Sequence, residues 1–373
     1  NTTQNGGDVV SELTINPVAG GMNNYRYRAI ATNSRGNITS SGAILTLATL
    51  PTSNPGAPLS SICGNTMSAP LGGSVTHATG GIWSSDAGGV FSPSANDLNA
   101  TWTPPIGYSG TATLTLTTVG GCTSIASSKT QVVNPAPSTV LNPSSISICE
   151  GAVESMSVTN TVTTAFASGN VNLAIPNFSA TGVTHTQVVS GIPAGAIIKN
   201  ITVTFNVTHP EVADLMMNIK APNGNVLNLA NRPSAGPGTN FTNTRVSATG
   251  TLTFASSSSP FNNIYAPMAA LNVGASGNLS NVTSFNSLMG TMNGNWIISA
   301  RDAAASNSGT LNNWTLTIEW IEPTTWSPFT HLYTNAGATI AYTGQSLETV
   351  YFKGNTTGSV DYTVTQTGAN GCV

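Results

Sequence analysis

Alternation with a period of two residues runs through the chain, and the 3.6-residue stripes of long amphipathic helices are missing. In Thr111-Ala112-Thr113-Leu114-Thr115-Leu116-Thr117, the residues Ala112, Leu114 and Leu116 share one face and the threonines the other. That pattern predicts a half-buried strand with a wet hydroxyl face. Val360, Tyr362 and Val364 repeat the parity eight to twelve residues before Cys372, as Ala112 and Leu114 do before Cys122. Trp296 alternates with Ile298, and Trp314 with Leu316, which places both tryptophans in a core rather than on a surface. The expected fold class is all-β. Pro-rich joints at Leu50-Pro51-Thr52-Ser53-Asn54-Pro55 and Asn134-Pro135-Ala136-Pro137 mark module borders, because proline removes a donor and stiffens the connection.

The cysteines give the modules an order. Cys63 and Cys122 lie 59 residues apart, with Trp83 placed 20 residues after the first. Cys149 and Cys372 lie 223 apart, and Trp326 follows Cys149 by 177. From tryptophan to second cysteine the two copies nearly agree, at 39 and 46 residues. The simplest reading is a second copy interrupted by an insert of 157 residues (177 less 20). Exposed loop tips tolerate such insertions, since they bury little backbone and a guest's termini usually lie close together. The repeat implies the pairings Cys63–Cys122 and Cys149–Cys372 in an oxidising compartment, against the alternative of reduced cysteines buried as small hydrophobes.

The Cys, Trp, Cys order resembles immunoglobulin-like sandwiches. Leu13-Thr14-Ile15 and Tyr27-Arg28-Ala29-Ile30-Ala31-Thr32-Asn33-Ser34-Arg35-Gly36 resemble the strand E to F passage of that family, with Ala29 where a second cysteine often stands. No disulfide is expected in that module. Within the insert, Gly191-Ile192-Pro193-Ala194-Gly195-Ala196-Ile197-Ile198 leads to Thr208-His209-Pro210-Glu211-Val212-Ala213-Asp214-Leu215 and Lys220-Ala221-Pro222-Asn223-Gly224. Gly294-Asn295-Trp296-Ile297-Ile298-Ser299-Ala300-Arg301-Asp302 and Gly309-Thr310-Leu311-Asn312-Asn313-Trp314-Thr315-Leu316 close the set. The segment resembles the P domain (Homo B domain) of subtilisin-like proprotein convertases, which implies a jelly roll.

A second resemblance covers most of residues 55 to 161 and 323 to 373. Gly81-Ile82-Trp83-Ser84-Ser85, Ala100-Thr101-Trp102-Thr103-Pro104-Pro105, Gly107-Tyr108-Ser109-Gly110-Thr111-Ala112-Thr113, Thr325-Trp326-Ser327-Pro328, Thr349-Val350-Tyr351 and Asp361-Tyr362-Thr363-Val364-Thr365 look like repeats of long Bacteroidetes surface proteins. That family includes gliding-motility adhesins exported by type IX secretion, which implies extracellular, cell-surface display. The domain map is therefore 1–50, the C-terminal part of an immunoglobulin-like module; 55–135, an immunoglobulin-like repeat; 136–161 plus 323–373, one split by the insertion; and 162–322, the P-like jelly roll. Residues 1–50 carry only later strands and Val373 falls where a last strand should begin, so the expectation is an excerpt of a longer chain or strand exchange between subunits.

Composition narrows the chemistry. Only 6% of residues are charged, and 10 Lys+Arg in a chain of net charge −3 leave no basic patch for nucleic acid. No run of 18 apolar residues predicts membrane insertion. A subtilisin-type enzyme needs Asp, His and Ser together; its Gly-Thr-Ser motif is absent and His77-Ala78-Thr79-Gly80 is a poor match to its His-Gly-Thr. His185, His209 and His331 lack metal-ligand spacing, and no carboxylate pair stands out for glycoside hydrolysis. No enzyme is expected.

Asp214 and Asp302 match recurring acidic positions of the P domain, with Glu211 three residues before Asp214, and oxygen ligands there would suit calcium. The alternative is that Asp302 caps the turn from Ala303 to Gly309 while Asp214 pairs with a backbone amide or Arg301. Arg232 and Arg245 flank a Gly/Pro/Asn-rich stretch, Pro233 to Thr244, expected as a long surface loop. Triplets such as Asn99-Ala100-Thr101 and Asn200-Ile201-Thr202 follow from composition and need no glycosylation. The expected function is an adhesin segment whose partners are an extracellular surface, a glycan or a neighbouring cell-surface protein, with self-association by strand exchange as an alternative. A second alternative is the non-catalytic C-terminal region of a secreted subtilisin-like protease.

Overall fold

The computed structural model describes residues 2–5, 8–233, 238–257, 259–355 and 358–373. Among them there is no α-helix, only strands and four single-turn 3-10 segments, so the chain is all-β. It divides into two compact units, Asn1–Pro135 and Ala136–Val373.

In the first unit, residues 12–50 form short hairpins, Ile30–Asn33 with Gly36–Thr39 and Arg26–Tyr27 with Ala43–Ile44. None of these residues is buried. The core lies further along. Gly110–Val119 is the centre of a four-stranded sheet, flanked by Gly80–Ser85 and Ala126–Asn134, with Ile62–Cys63 parallel to the end of the latter. The expected alternation holds: Ala112, Leu114 and Leu116 are fully buried with Trp83, Trp102, Leu71 and Val133. The threonines between them face outward because successive Cβ atoms point to opposite sides of a strand. Trp102 fixes the opposite wall by donating its Nε1–H to the Gly88 carbonyl at 2.9 Å.

Among its described residues the second unit contains three sheets of four or more strands. Leu141–Asn142, Val153–Val158, Thr349–Lys353 and Leu332–Tyr333 form one of them in that order. Its strands come from both sides of the intervening segment in sequence, and Thr324–Ser327 pairs nearby with Thr363–Gln366. Their shared core gathers Met156, Val158, Trp326, Leu332, Tyr342, Val350 and Phe352. We refer to this body as the host and to the enclosed segment as the guest.

The guest is a two-sheet sandwich. One sheet runs Val162–Ala167, Gly309–Ile321, Ile197–Thr208, Phe241–Ser247 and Ile264–Tyr265, with Leu173–Ile175 also paired to Gly309–Ile321. The other runs Val183–Val189, Gly294–Asp302, Leu215–Lys220 and Val226–Asn231. Between them Phe205, Phe241, Phe254, Phe261 and Tyr265 make edge and stacked ring contacts, and Trp296 and Trp314 are buried as their parity predicts.

Host and guest share apolar contacts. Ile197 and Ile321, opposite each other at the base of the two central guest strands, pack into the host core. Lys199 Nζ meets Glu348 Oε2 at 2.7 Å, but both side chains are about one third exposed, so this pair adds at most ~1 kcal/mol. Glu322 lies at the join, where Trp320 donates its Nε1–H to Oε2 at 3.4 Å. Burial raises its carboxyl above the usual carboxylate range, and the Trp320 bond opposes that shift.

Two expectations follow. Leu114→Ala should cost about 3 kcal/mol while Thr115→Ala changes less than ~0.5, read from hydrogen exchange of the Gly110–Val119 amides. Since the folded state holds the Glu322 proton more tightly than the unfolded chain does, its contribution to stability is present at low pH and is lost as pH rises through the raised value. Glu322→Gln should therefore unfold at a higher temperature than the parent at neutral pH, with the difference vanishing by about pH 4; a pH-independent difference would contradict this account.

Candidate functional site

The polar cluster at the end of the guest's central strands assembles from segments far apart in sequence. His209 follows the strand Ile197–Thr208, and its ring is fully buried. Glu211 caps the 3-10 turn Val212–Asp214, its Oε1 accepting from the Ala213 N–H at 3.3 Å. The next strand begins at Leu215, directly opposite Asp302, so the register brings Asp214 and Asp302 together.

The hydrogen bonds define what this cluster can do. His209 Nδ1 accepts from the Glu211 N–H at 3.1 Å, which leaves the ring hydrogen on Nε2 to be donated to Asp302 Oδ2 at 3.3 Å. Asp302 Oδ1 accepts from the Ala304 N–H at 2.9 Å. The Asp214 carbonyl accepts from the Ala303 N–H at 2.8 Å, and Asn307 Nδ2 approaches its Oδ2 at 3.4 Å. Asn240 closes the other side, exchanging backbone and side-chain bonds with the His209 backbone. A side chain at Gly309 would put its Cβ 2.5 Å from His209 Cδ2, so only glycine lets the strand pass the ring.

Both oxygens of Asp302 are therefore engaged by protein donors, one of them capping the following turn. Among the described residues no three His, Cys, Asp or Glu side chains converge to hold a metal. Arg301 does not pair with Asp214: its Nε donates to the Ser179 carbonyl at 3.1 Å and its Nη1 to that of Gly274 at 3.0 Å. Both ring nitrogens of His209 are committed and the ring is buried, so the cluster fastens three chain segments together. The other histidines lie apart. His185 accepts from Trp314 Nε1 at 3.0 Å, His331 meets Asn355 at 2.8 Å, and His77 meets Thr76 Oγ1 at 3.2 Å.

The cysteine pairings require correction. Cys122 and Cys149 are exposed free thiols, so neither Cys63–Cys122 nor Cys149–Cys372 is formed; Cys63 and Cys372 are not free thiols. Sheet geometry explains why. Cys63 lies opposite Asn134, at one end of Ala126–Asn134, whereas Cys122 lies beyond the other end, next to the Ala126 to Thr117 pair. Eight residues of strand put those ends roughly 26 Å apart, and a disulfide needs Cα atoms within about 7 Å. Cys149 likewise sits at the Val153 end of its strand beside Gly354, while Cys372 bonds Gly368 beyond Gln366, which reaches Asn160 past the opposite end.

The expected loop from Pro233 to Thr244 is also shorter, because the strand Phe241–Ser247 takes its last four residues; residues 234–237 lie outside the described residues. Arg232 turns its Nε to the Ala213 carbonyl at 3.3 Å, and Arg245 is exposed on the outer face of the six-stranded sheet.

That face carries a row of amides which the sequence motifs did not single out. Asn206 Nδ2 donates to Asn313 Oδ1 at 2.7 Å and to Asn243 Oδ1 at 3.2 Å, while its Oδ1 accepts from the Asn243 N–H at 2.7 Å. Asn313 extends the row to Asn170 at 3.5 Å, and Thr208 bonds Asn312 at 3.0 Å. The signal was the parity of Asn200, Thr202, Thr204, Asn206 and Thr208, opposite the buried Ile201, Val203, Phe205 and Val207. These amides are held in fixed orientation by one another. Short neutral side chains so arranged suit contacts with other neutral polar groups.

No protein-family model and no curated protein matches the chain. Among solved structures it is similar to a serine protease of Aeromonas sobria in complex with its chaperone, at 15% identity and a TM-score of 0.23, over 50% of this chain and 28% of that one. It is also similar to a Bacteroides ovatus mixed-linkage glucan utilization locus protein, SGBP-B, in complex with a mixed-linkage heptasaccharide, at 12% identity and a TM-score of 0.16, over 83% and 65%. A third is infectious bursal disease virus, Gx strain, at 12% identity and a TM-score of 0.21, over 92% and 72%. The chain thus spans little more than a quarter of the length of the Aeromonas protease. At these TM-scores none of the three bears on fold or function.

Removing the Asp302 carboxylate strands a buried imidazole N–H and the Ala304 amide. Asp302→Ala should lower the stability of the guest by about 3 kcal/mol or more in denaturant titrations. EDTA should leave the unfolding temperature of the parent chain unchanged; a fall on chelation would show that the carboxylates hold a cation.

Proposed function

We propose that the chain is a non-enzymatic, extracellular segment of a cell-surface adhesin in which the host presents the P-like guest as a contact body. The observation that carries this reading is the mounting of the guest. Its two central strands end in Ile197 and Ile321 inside the host core, and the chain enters and leaves through strands paired in the host. Two apolar anchor points restrict the guest's orientation more than one flexible linker would. A body held this way can transmit load from its outer face to the chain.

The surface chemistry supports the same reading. With 6% charged residues, the outer sheet faces present threonine, serine and asparagine instead of ion pairs. The histidines are separately bonded, His209 to Glu211 and Asp302 and His185 to Trp314, and their roles in this reading are structural. The Trp83-Ser84 and Trp326-Ser327 pairs and Tyr362-Thr363-Val364-Thr365 resemble motifs of Bacteroidetes gliding adhesins, and display by type IX secretion is the corresponding export route. Individual contacts of this kind are weak, and repetition along a surface array strengthens them by raising effective concentration.

The test is retention of beads under flow. Beads carrying the 373-residue chain should be held on polysaccharide-coated and cell-coated surfaces. Asn206→Glu combined with Asn313→Glu, which charges the guest's outer face at two directly opposed positions, should lower the unfolding temperature somewhat and reduce retention several-fold at a temperature where the variant is still folded. Equal retention of parent and variant would remove the guest face as the contact, and absence of retention by the parent would remove the adhesin reading.

A further inference from the structure

The outer face of the host sheet carries two tyrosines that the fold does not use. Tyr333 and Tyr351 lie directly opposite each other on neighbouring strands, and Ser155 continues their row on the next strand. Parity turns Leu332, Val350, Phe352, Met156 and Val158 into the core and leaves these rings half-exposed on the other side. Tyrosines of this unit that stabilise the fold are recognisable: Tyr342 donates its hydroxyl to no carbonyl but accepts the Trp326 N–H at 3.1 Å, Tyr362 donates to the Thr330 carbonyl at 2.8 Å, and Tyr265 stacks on Phe254. Among the described residues Tyr333 and Tyr351 make no ring contact and no side-chain hydrogen bond. A cross-strand aromatic pair normally contributes by packing ring on ring; here that packing is not made.

The surroundings specify what would cover them. Beside the tyrosine row lies a row of Asn142, Ser157 and Thr349, in which the Ser157 and Thr349 hydroxyls meet at 2.8 Å. Lys353, opposite Val153, is the charged side chain on this face at its margin, since Glu154 has the inward parity and Glu348 is held by Lys199. Two flat amphipathic rings set on adjacent strands, roughly 5 Å apart at Cβ and rimmed by neutral donors and acceptors, offer apolar faces with hydroxyl partners around them. We infer that this face is a binding site for a neutral oligosaccharide, with successive pyranose rings lying over Tyr351 and Tyr333 and their hydroxyls bonding Ser155, Ser157, Thr349 and Asn142. Charge matching selects this ligand: a phosphate or uronate polymer would need several cations, and the face has one. The site lies on the host and does not depend on the guest being a contact body.

Native affinity electrophoresis of the full chain tests it, with hydroxyethylcellulose, soluble starch and dextran as separate probes and polygalacturonate as the charged comparison. At least one neutral polysaccharide should retard the parent, and polygalacturonate should not. Tyr351→Ala and Tyr333→Ala should each weaken that retardation by about tenfold, whereas Tyr351→Phe, which keeps the ring, should stay within about threefold. Should an alanine variant fail to fold, Ser157→Glu puts a charge on the same face without touching the core and should abolish retardation. The inference is overturned if no neutral probe retards the parent, if folded alanine variants or Ser157→Glu migrate as the parent does, or if polygalacturonate is the better ligand. Bead retention measured on the same variants separates the two readings: retention that survives loss of saccharide binding leaves the adhesin intact and removes only this site.

Discussion

The antiparallel ladder between Ile197–Thr208 and Gly309–Ile321 is the constraint on which the second unit depends. At one end Ile197 and Ile321 enter the host core; along its length Ile201, Val203, Phe205, Leu316 and Ile318 build the guest core; at the other end Thr208 and Thr310 hold the strands beside His209. Each ladder hydrogen bond contributes only about 1 kcal/mol net, but the ladder sets the register for everything attached to it. A slip of one residue would turn the phenylalanine and tryptophan faces to solvent and the threonines into the core. It would also move Gly309 away from the His209 ring, which no other residue can accommodate. Register, core and polar cluster are therefore one specification.

Much of this was legible in the sequence because side-chain parity is a local property. Alternation around Ala112, Leu114 and Leu116 located a strand and its buried face, and the same parity put Trp296 and Trp314 inside. Asp214 and Asp302 were each singled out by the motif holding them, and the Leu215 to Asp302 register brings the two together. Their chemistry was harder to read. Whether two carboxylates face an ion or each other's backbone depends on donors such as the Ala304 amide and the His209 ring, which sequence order does not bring to mind together.

What the sequence misjudged was geometric. Cysteine spacing counts residues, whereas a disulfide depends on where strands end. Two cysteines flanking a sheet at opposite ends of a nine-residue strand are too far apart whatever repeat they belong to. The Pro233 to Thr244 stretch reads as loop by composition, yet Phe241 is pulled into the core by Phe205, Phe254 and Phe261, and a strand begins there. The amide row and the tyrosine pair escaped notice for a related reason. Each needs partners from strands distant in sequence: the parity around Asn206 and the Thr349-Val350-Tyr351 motif mark a face on one strand without showing what lies opposite it.

A surface with so few charges also constrains how the chain meets its partners. Exposed apolar side chains such as Ile82 and Val188 stand on edge strands, where proteins usually place lysine or proline to discourage pairing with another chain. Here hydroxyls and amides carry the burden of solubility. Such groups produce no field beyond the first water layers, so they neither steer an approaching partner nor repel a second copy at a distance. Recognition then falls to short-range contacts that count only after an encounter has occurred, with modest association rates and affinity set by how long each contact lasts. Rigid mounting makes that arrangement workable. A face whose amides are already bonded in place loses little conformational freedom when a ligand arrives, and the small gain from each contact is retained as binding.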